Sequence, residues 1–345
     1  TAYGAMSATK GVLLGLLLLL GAANFWLLHG IGERVRLVAP VPRSAGAAAV
    51  PAADGRLARV RRFVECEMVL GLGVLALAAS LTSVPPAADL TEDRASWPEV
   101  VARFTPEWPR LSGPNHADLA IPRLQAELDA EWRTHQAAQA ARPQAFTPGE
   151  GLLPPRNAAD IAWSERNHHW AGIAVLLVGL AALLDATGRL RAARHWPLLF
   201  LGLAGFLLVC SDPENWPLGT IPVIQGLRDP EVVQHKLAAL LVIGFALAEW
   251  AVRLGRLGGP MRFVFPVAMM AGGVLLFTHN HAIANQKEAL LIELSHLPLA
   301  LTAMVAGCAR WVELRGPPAL VPAARRLWPA CLVIVGLILI LYREA

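Results

Sequence analysis

Residues 9–29 read TKGVLLGLLLLLGAANFWLLH. Between Lys10 and His29 no charged side chain interrupts the run. About 20 consecutive apolar residues carry an α-helix across the hydrocarbon core of a bilayer. The run is continuous rather than alternating, which excludes a strand of a membrane barrel, where apolar and polar residues take turns. The same signature returns along the chain, and hydropathy predicts eight spans over roughly 9–29, 61–83, 169–187, 196–210, 233–252, 262–278, 287–309 and 327–343. Composition agrees. Of 345 residues, 55% are hydrophobic and only 16% charged, against about 25% charged in soluble domains. The mean hydropathy is +0.47. Lipid leaves so many backbone amides only helices or a closed barrel. The sequence therefore predicts an all-α, polytopic membrane protein in contact with the lipid bilayer.

The basic residues give the spans a direction. Seventeen of the 30 lysines and arginines fall in or at the edges of the connections 30–60, 188–195, 253–261 and 310–326. The short connections on the other side, 211–232 and 279–286, carry Arg228, with Lys236 and Lys287 at their borders. An arginine excess in short loops marks the cytoplasm. The arginine side is therefore expected inside, and both termini of this chain and the long 84–168 connection outside. The charge of +4 and pI of 9.2 follow from this placement and do not predict nucleic acid as a partner. Three regions result: a two-helix membrane segment at 1–86, an outer loop or cap at 87–168, and a six-helix bundle at 169–345. Within the cap, 119–141 reads as an amphipathic helix, and His116 and His135 as solvated surface residues.

With this topology in place, the histidines cluster. Of ten, His168 and His169 stand at the outer entrance of the third span. His235 lies one turn into the fifth, His279 and His281 where the sixth emerges, and His296 two to three turns into the seventh. Imidazole suits copper, zinc and iron, and facing helices of a bundle can present several around one ion. An ionisable residue at membrane depth marks a functional site by default. We take His169, His235, His281 and His296 as the leading ligand candidates, with His168 and His279 behind them. Glu293 precedes His296 by three, which puts both on one helix face. Asp212, Glu214, Glu288 and Asn285 occupy the same side and are candidates to orient a ligating imidazole through its second nitrogen. For single residues, simpler roles compete: helix capping for His279, and for His296 a bond to a backbone carbonyl freed by Pro298.

Other features assign no chemistry. Cys66, Cys210, Cys308 and Cys331 have no CxxC spacing and read as small buried hydrophobes. Met68, Met269, Met270 and Met304 read as core. Glu65, Glu67, Asp185 and Glu249 lie near the arginine side and read as paired interfacial charges. There is no phosphate-binding glycine loop, nucleophile elbow or haem-attachment motif. A single Glu-x-x-His is half of what a di-metal catalytic site needs. The expectation is a protein that is not an enzyme.

The first two spans carry a resemblance. Tyr3-Gly4, Lys10, Asn24, Glu65 and the closing LTSVPPA with Pro85-Pro86 resemble the membrane domain of the bacterial copper resistance D (CopD/PcoD) proteins over about residues 1–87. DPENWPLG, VVQHKLAALL and AEW resemble the carboxy-terminal half of long members. The resemblance implies a multi-pass protein of the bacterial inner membrane that moves copper inward, in partnership with a periplasmic copper-binding CopC-like protein. Family members usually carry further spans before the Tyr-Gly segment, and the opening TAYG predicts a processed chain or spans upstream. The expected function is therefore reception of a copper ion on the periplasmic face and its passage across the membrane. Two alternatives stay open. One is a haem b protein for electron transfer, with histidines of neighbouring helices as axial ligands. The other is a scaffold subunit that docks other membrane subunits through the cap.

Overall fold

The computed structural model describes residues 2–37, 60–61, 63–68, 70–75, 78, 95–119, 126, 130, 133–134, 158–277, 286–316 and 318–344. His135, His279, His281, Asn285 and nearly all of the expected 119–141 helix lie outside these residues. The side chain of Glu288, in a described helix, lies outside them too. The chain divides into two compact units, Tyr3–Pro86 and Ala87–Ala345 together with Thr1–Ala2.

The unit Tyr3–Pro86 contains α1, Ala2–Leu37, and residues 60–75, helical wherever described. Glycine, alanine and leucine make up most of α1 between Gly11 and Leu28, and its apolar side chains are largely exposed, as a lipid-facing helix requires. The polar pair joining the two helices is Asn24 Nδ2 donating to Glu67 Oε1 at 2.8 Å. Glu65 pairs with Arg61 in its own helix. Cys66 and Met68 are exposed, contrary to the buried roles expected of them.

The larger unit opens with α2, Trp97–Phe104. Six helices follow: α3 Ala158–Ala186, α4 Leu199–Cys210, α5 Pro230–Arg253, α6 Val264–Phe277, α7 Gln286–Arg315 and α8 Val321–Ile340. Short 3₁₀ segments, Arg191–Leu198 and Gly259–Phe263, lead into α4 and α6. The six form a ring in which α3 packs on α8, α8 on α7, α7 on α6, α6 on α5, α5 on α4 and α4 back on α3. Among the described residues there is no strand, and seven helices are long and apolar enough to cross a membrane. The partly described helix of residues 60–75 is not among the seven.

Two contacts are unusually close. A Cβ on Gly336 of α8 would lie 2.5 Å from the Leu176 amide nitrogen of α3, and one on Gly179 2.7 Å from that of Val333. Gly273 and Gly307 do the same for α6 and α7, against Ala300 O at 2.8 Å and Pro266 O at 2.7 Å. Between lipid-embedded helices there is little hydrophobic driving force, so small residues that let backbones approach supply the packing. Inside the ring, Trp196, Phe200, Phe245, Phe265 and Trp328 form one aromatic cluster, with neighbouring centroids 4.9 to 6.0 Å apart.

The helices outrun the hydropathy signal. α3 starts at Ala158 and α8 at Val321, earlier than expected, because alanine, glutamate and arginine favour helix without favouring lipid. His168 and His169 consequently sit well inside α3 rather than at its entrance. The second difference concerns Glu249. It is paired with Arg253 and Arg310 as expected, but at 1% exposed it is enclosed by the protein.

Candidate functional site

Alternating helix direction brings the starts of α3, α5 and α7 to the same end as the finishes of α4 and α8. Hydrogen bonds tie these ends together. Asn167 Nδ2 and Trp163 Nε1 of α3 both donate to Cys210 O at the end of α4. Lys236 Nζ of α5 donates to Leu208 O of α4. His116 Nε2 meets Pro213 O at 2.7 Å, so this residue of the cap is held by the bundle and is not the solvated side chain expected.

Three histidines at this end share one setting. His168 Nδ1 lies 2.9 Å from Ser164 O, and His296 Nδ1 lies 2.8 Å from Ile292 O, each an acceptor one turn back in its own helix. His235 Nδ1 lies 2.6 Å from Asp212 Oδ1. Carbonyl and carboxylate oxygens only accept, so Nδ1 must carry the proton in all three rings, and the lone pair of the neutral ring sits on Nε2. That is the tautomer in which an imidazole coordinates a metal through Nε2. Asp212 is buried and is shared with Lys236, 2.7 Å from its second oxygen. It has the orienting position expected of one of the acids.

The structure brings His168 and His296 together. Their ring centroids are 5.5 Å apart at 77°. Tyr342 completes the group, stacked on His168 at 3.9 Å and edge-on to His296 at 5.4 Å. His296 does not use the carbonyl that Pro298 releases. A proline at 298 would free Leu294 O, whereas the ring bonds Ile292 O. Glu293, on one helix face with His296 by spacing, is half-buried.

His169 is placed differently. Its Nδ1 is 3.0 Å from Arg110 O and its Nε2 2.9 Å from Tyr342 O. Both nitrogens face backbone carbonyl oxygens. The buried ring fastens the cap at Arg110 and the chain end at Tyr342 to α3. Around it runs a network that no sequence motif announces. Glu165 Oε1 accepts from the Glu344 amide, and Glu165 Oε2 faces Arg110 Nε at 3.1 Å. Glu344 Oε1 in turn accepts from Ser164 Oγ and Tyr342 OH. One signal could have found it: Tyr342 is one of only two tyrosines, standing with Glu344 straight after an apolar run.

Glu214 Oε1 accepts from Asn215 Nδ2, its neighbour in the 211–222 connection. Among the described residues no three His, Cys, Asp or Glu side chains are grouped closely enough to hold one metal ion. The histidine end thus offers one imidazole pair with an aromatic wall, and a separate carboxylate-oriented imidazole on another helix of the ring. No family model, curated protein or solved structure matches this chain.

Proposed function

We propose that the chain is a copper-handling protein of a bacterial inner membrane, of the copper resistance D type. Its histidine end faces the periplasm, receives copper there from a CopC-like donor and passes it inward through the bundle. The observation that carries this reading is the common tautomer of His168, His235 and His296. Three side chains from three helices have Nδ1 tied to an oxygen at one end of the bundle, the arrangement in which imidazole coordinates through Nε2, with His168 and His296 as one pair and His235 as a separate candidate for a borderline metal such as copper. His281 is a further candidate on sequence grounds. The arginine excess at the opposite end supports the orientation.

The test is elemental analysis of the purified protein beside its visible spectrum and thermal unfolding, for the native chain and for His168→Ala, His235→Ala and His296→Ala. The expected outcome is bound copper with no Soret band, reduced in each variant while the unfolding temperature is held. Iron with a strong Soret band would replace the copper reading by haem b and electron transfer. Full copper in all three variants would remove these ligands. Neither metal nor haem in the native protein would leave a scaffold that meets other membrane subunits through its cap.

A further inference from the structure

The stretch 96–108, SWPEVVARFTPEW, folds as a helix turned inside out. Glu99 starts α2 by accepting from both the amide and the hydroxyl of Ser96 at 2.7 Å, and Pro98 occupies the first turn, where its missing N–H costs nothing. At 3.6 residues per turn, Trp97, Val101 and Phe104 fall on one face, and Trp108 follows beyond the helix. Glu99 and Arg103 fall on the opposite face. An amphipathic helix on a soluble protein buries its apolar stripe. Here the polar face is turned to the protein. Glu99 Oε1 meets Lys287 Nζ of α7 at 2.5 Å, Arg103 donates to Arg343 O just past α8, and Arg343 in turn reaches Glu107 at 2.8 Å. The apolar face points away, with Trp97 79% exposed, Val101 60%, Phe104 51% and Trp108 95%.

The depth of this stripe selects its occupant. Lys287 stands three residues before Leu290, where the span of α7 begins, and Arg343 three residues after Ile340, where that of α8 ends. Three helical residues amount to about 4.5 Å at Lys287, and Arg343 follows the last turn of α8 by as few residues, so α2 is tied to both helices where their apolar spans stop. Trp170, in the span of α3 and itself exposed, donates to Leu111 O and holds the following segment near the same level. Tryptophan and phenylalanine are the residues favoured at that boundary, and a helix lying in the interface plane buries its apolar face there. We infer that α2 is an in-plane membrane helix: Trp97, Val101, Phe104 and Trp108 insert into the outer leaflet while Glu99 and Arg103 rivet it to the bundle. The inference is independent of the copper reading.

The full chain in vesicles of a bromine-labelled phosphatidylcholine tests it. The difference in tryptophan emission between the native chain and Trp97→Phe isolates Trp97. The expected result is strong loss of that emission with bromine placed high on the acyl chains, and protection from aqueous acrylamide. A spin label at Val101→Cys, in a chain with its four cysteines replaced by serine, should collide more with oxygen than with a water-soluble nickel chelate. Trp97 emission open to acrylamide and indifferent to bromolipid would overturn the inference, even if the cysteine variant fails to fold. A label shielded from both reagents in native membranes but open to water in pure lipid would overturn it in favour of a protein partner.

Discussion

The two ends of the helix ring handle polar groups in opposite ways. At the histidine end, imidazoles are held by oxygens, mostly of the backbone. At the arginine end, charges are matched against charges. Glu249 Oε1 accepts from Arg253 Nε at 2.8 Å and Arg310 at 2.9 Å. Arg253 also reaches Asp185, and Glu313 takes Arg310 at 2.7 Å and the Trp328 indole at 2.7 Å. Arg253 and Arg310 lie over the rings of Trp196 and Trp328. A cavity of about 210 Å³ lies among Asp185, Arg253, Arg310, Glu313, Arg325 and Trp328. A guanidinium stays charged at any physiological pH and needs a permanent counter-charge when buried. An imidazole changes state near neutrality and offers a lone pair. The arginine end is therefore built to fasten α3, α5, α7 and α8 to one another.

The contrast can be broken at four places. Glu249→Gln should have the largest effect, because it leaves two buried guanidinium groups without their common partner. Removing one partner of a buried pair costs about 3–5 kcal/mol. Thermal unfolding in detergent should show a large drop, with metal content per folded chain unchanged. A small drop would mean that water already screens this end. Gly336→Val follows, since its Cβ meets the backbone of Leu176, which cannot swing aside. Overpacking of this kind costs about 1–3 kcal/mol, and crosslinking between α3 and α8 should report their separation.

At the other end, Asp212→Asn should lower the unfolding temperature less than Glu249→Gln does, since it takes the counter-charge from one buried cation, Lys236, rather than two, and should weaken the proposed copper binding by about 10–100-fold, the usual effect of removing a ligand's orienting carboxylate. Unchanged affinity would take His235 out of the ligand set. The smallest effect belongs to Glu99. The Lys287 ammonium, then the hydroxyl and amide of Ser96, hold its carboxyl down from the ordinary 4.5 to about 2. A lowered folded value means that the attachment of α2 is complete above the ordinary carboxylate range and is lost as the pH falls towards 2. Trp97 emission should hold steady down to about pH 3 and shift below it, and Glu99→Gln should give the shifted value at neutral pH. Because Glu99 is in contact with solvent, added salt should reduce the difference.

Most of the fold was legible in the sequence. An apolar run such as 11–28 can satisfy its backbone in lipid only by helix formation, so span number and alternation follow from composition and length. The gathering of histidines at one end follows from that alternation. It needs only the parity of the spans on which His168, His235 and His296 stand. The carboxylate partner of an imidazole was also foreseen as a type, though Glu214 was as good a candidate as Asp212. Other features were not legible. Nothing in SERNHHWAG separates His168, stacked on Tyr342, from His169, clasped between Arg110 O and Tyr342 O. The two differ by about 100° around α3, and only the neighbours settle what each direction meets. That Glu249 is enclosed was not legible either, because hydropathy reports distance along a helix and not which side of it is enclosed.

The sequence by itself determined that this is a helical membrane protein of several spans, and which end carries imidazole and which guanidinium. Those are properties of single helices in a solvent without hydrogen bonds. The tertiary structure alone decided which histidines pair, that Gly172, Gly179 and Gly336 lock α3 to α8, that the chain end folds back on Glu165, and that α2 turns its apolar face outward. These depend on contacts between residues as much as 240 apart, and no local propensity or period encodes such a contact.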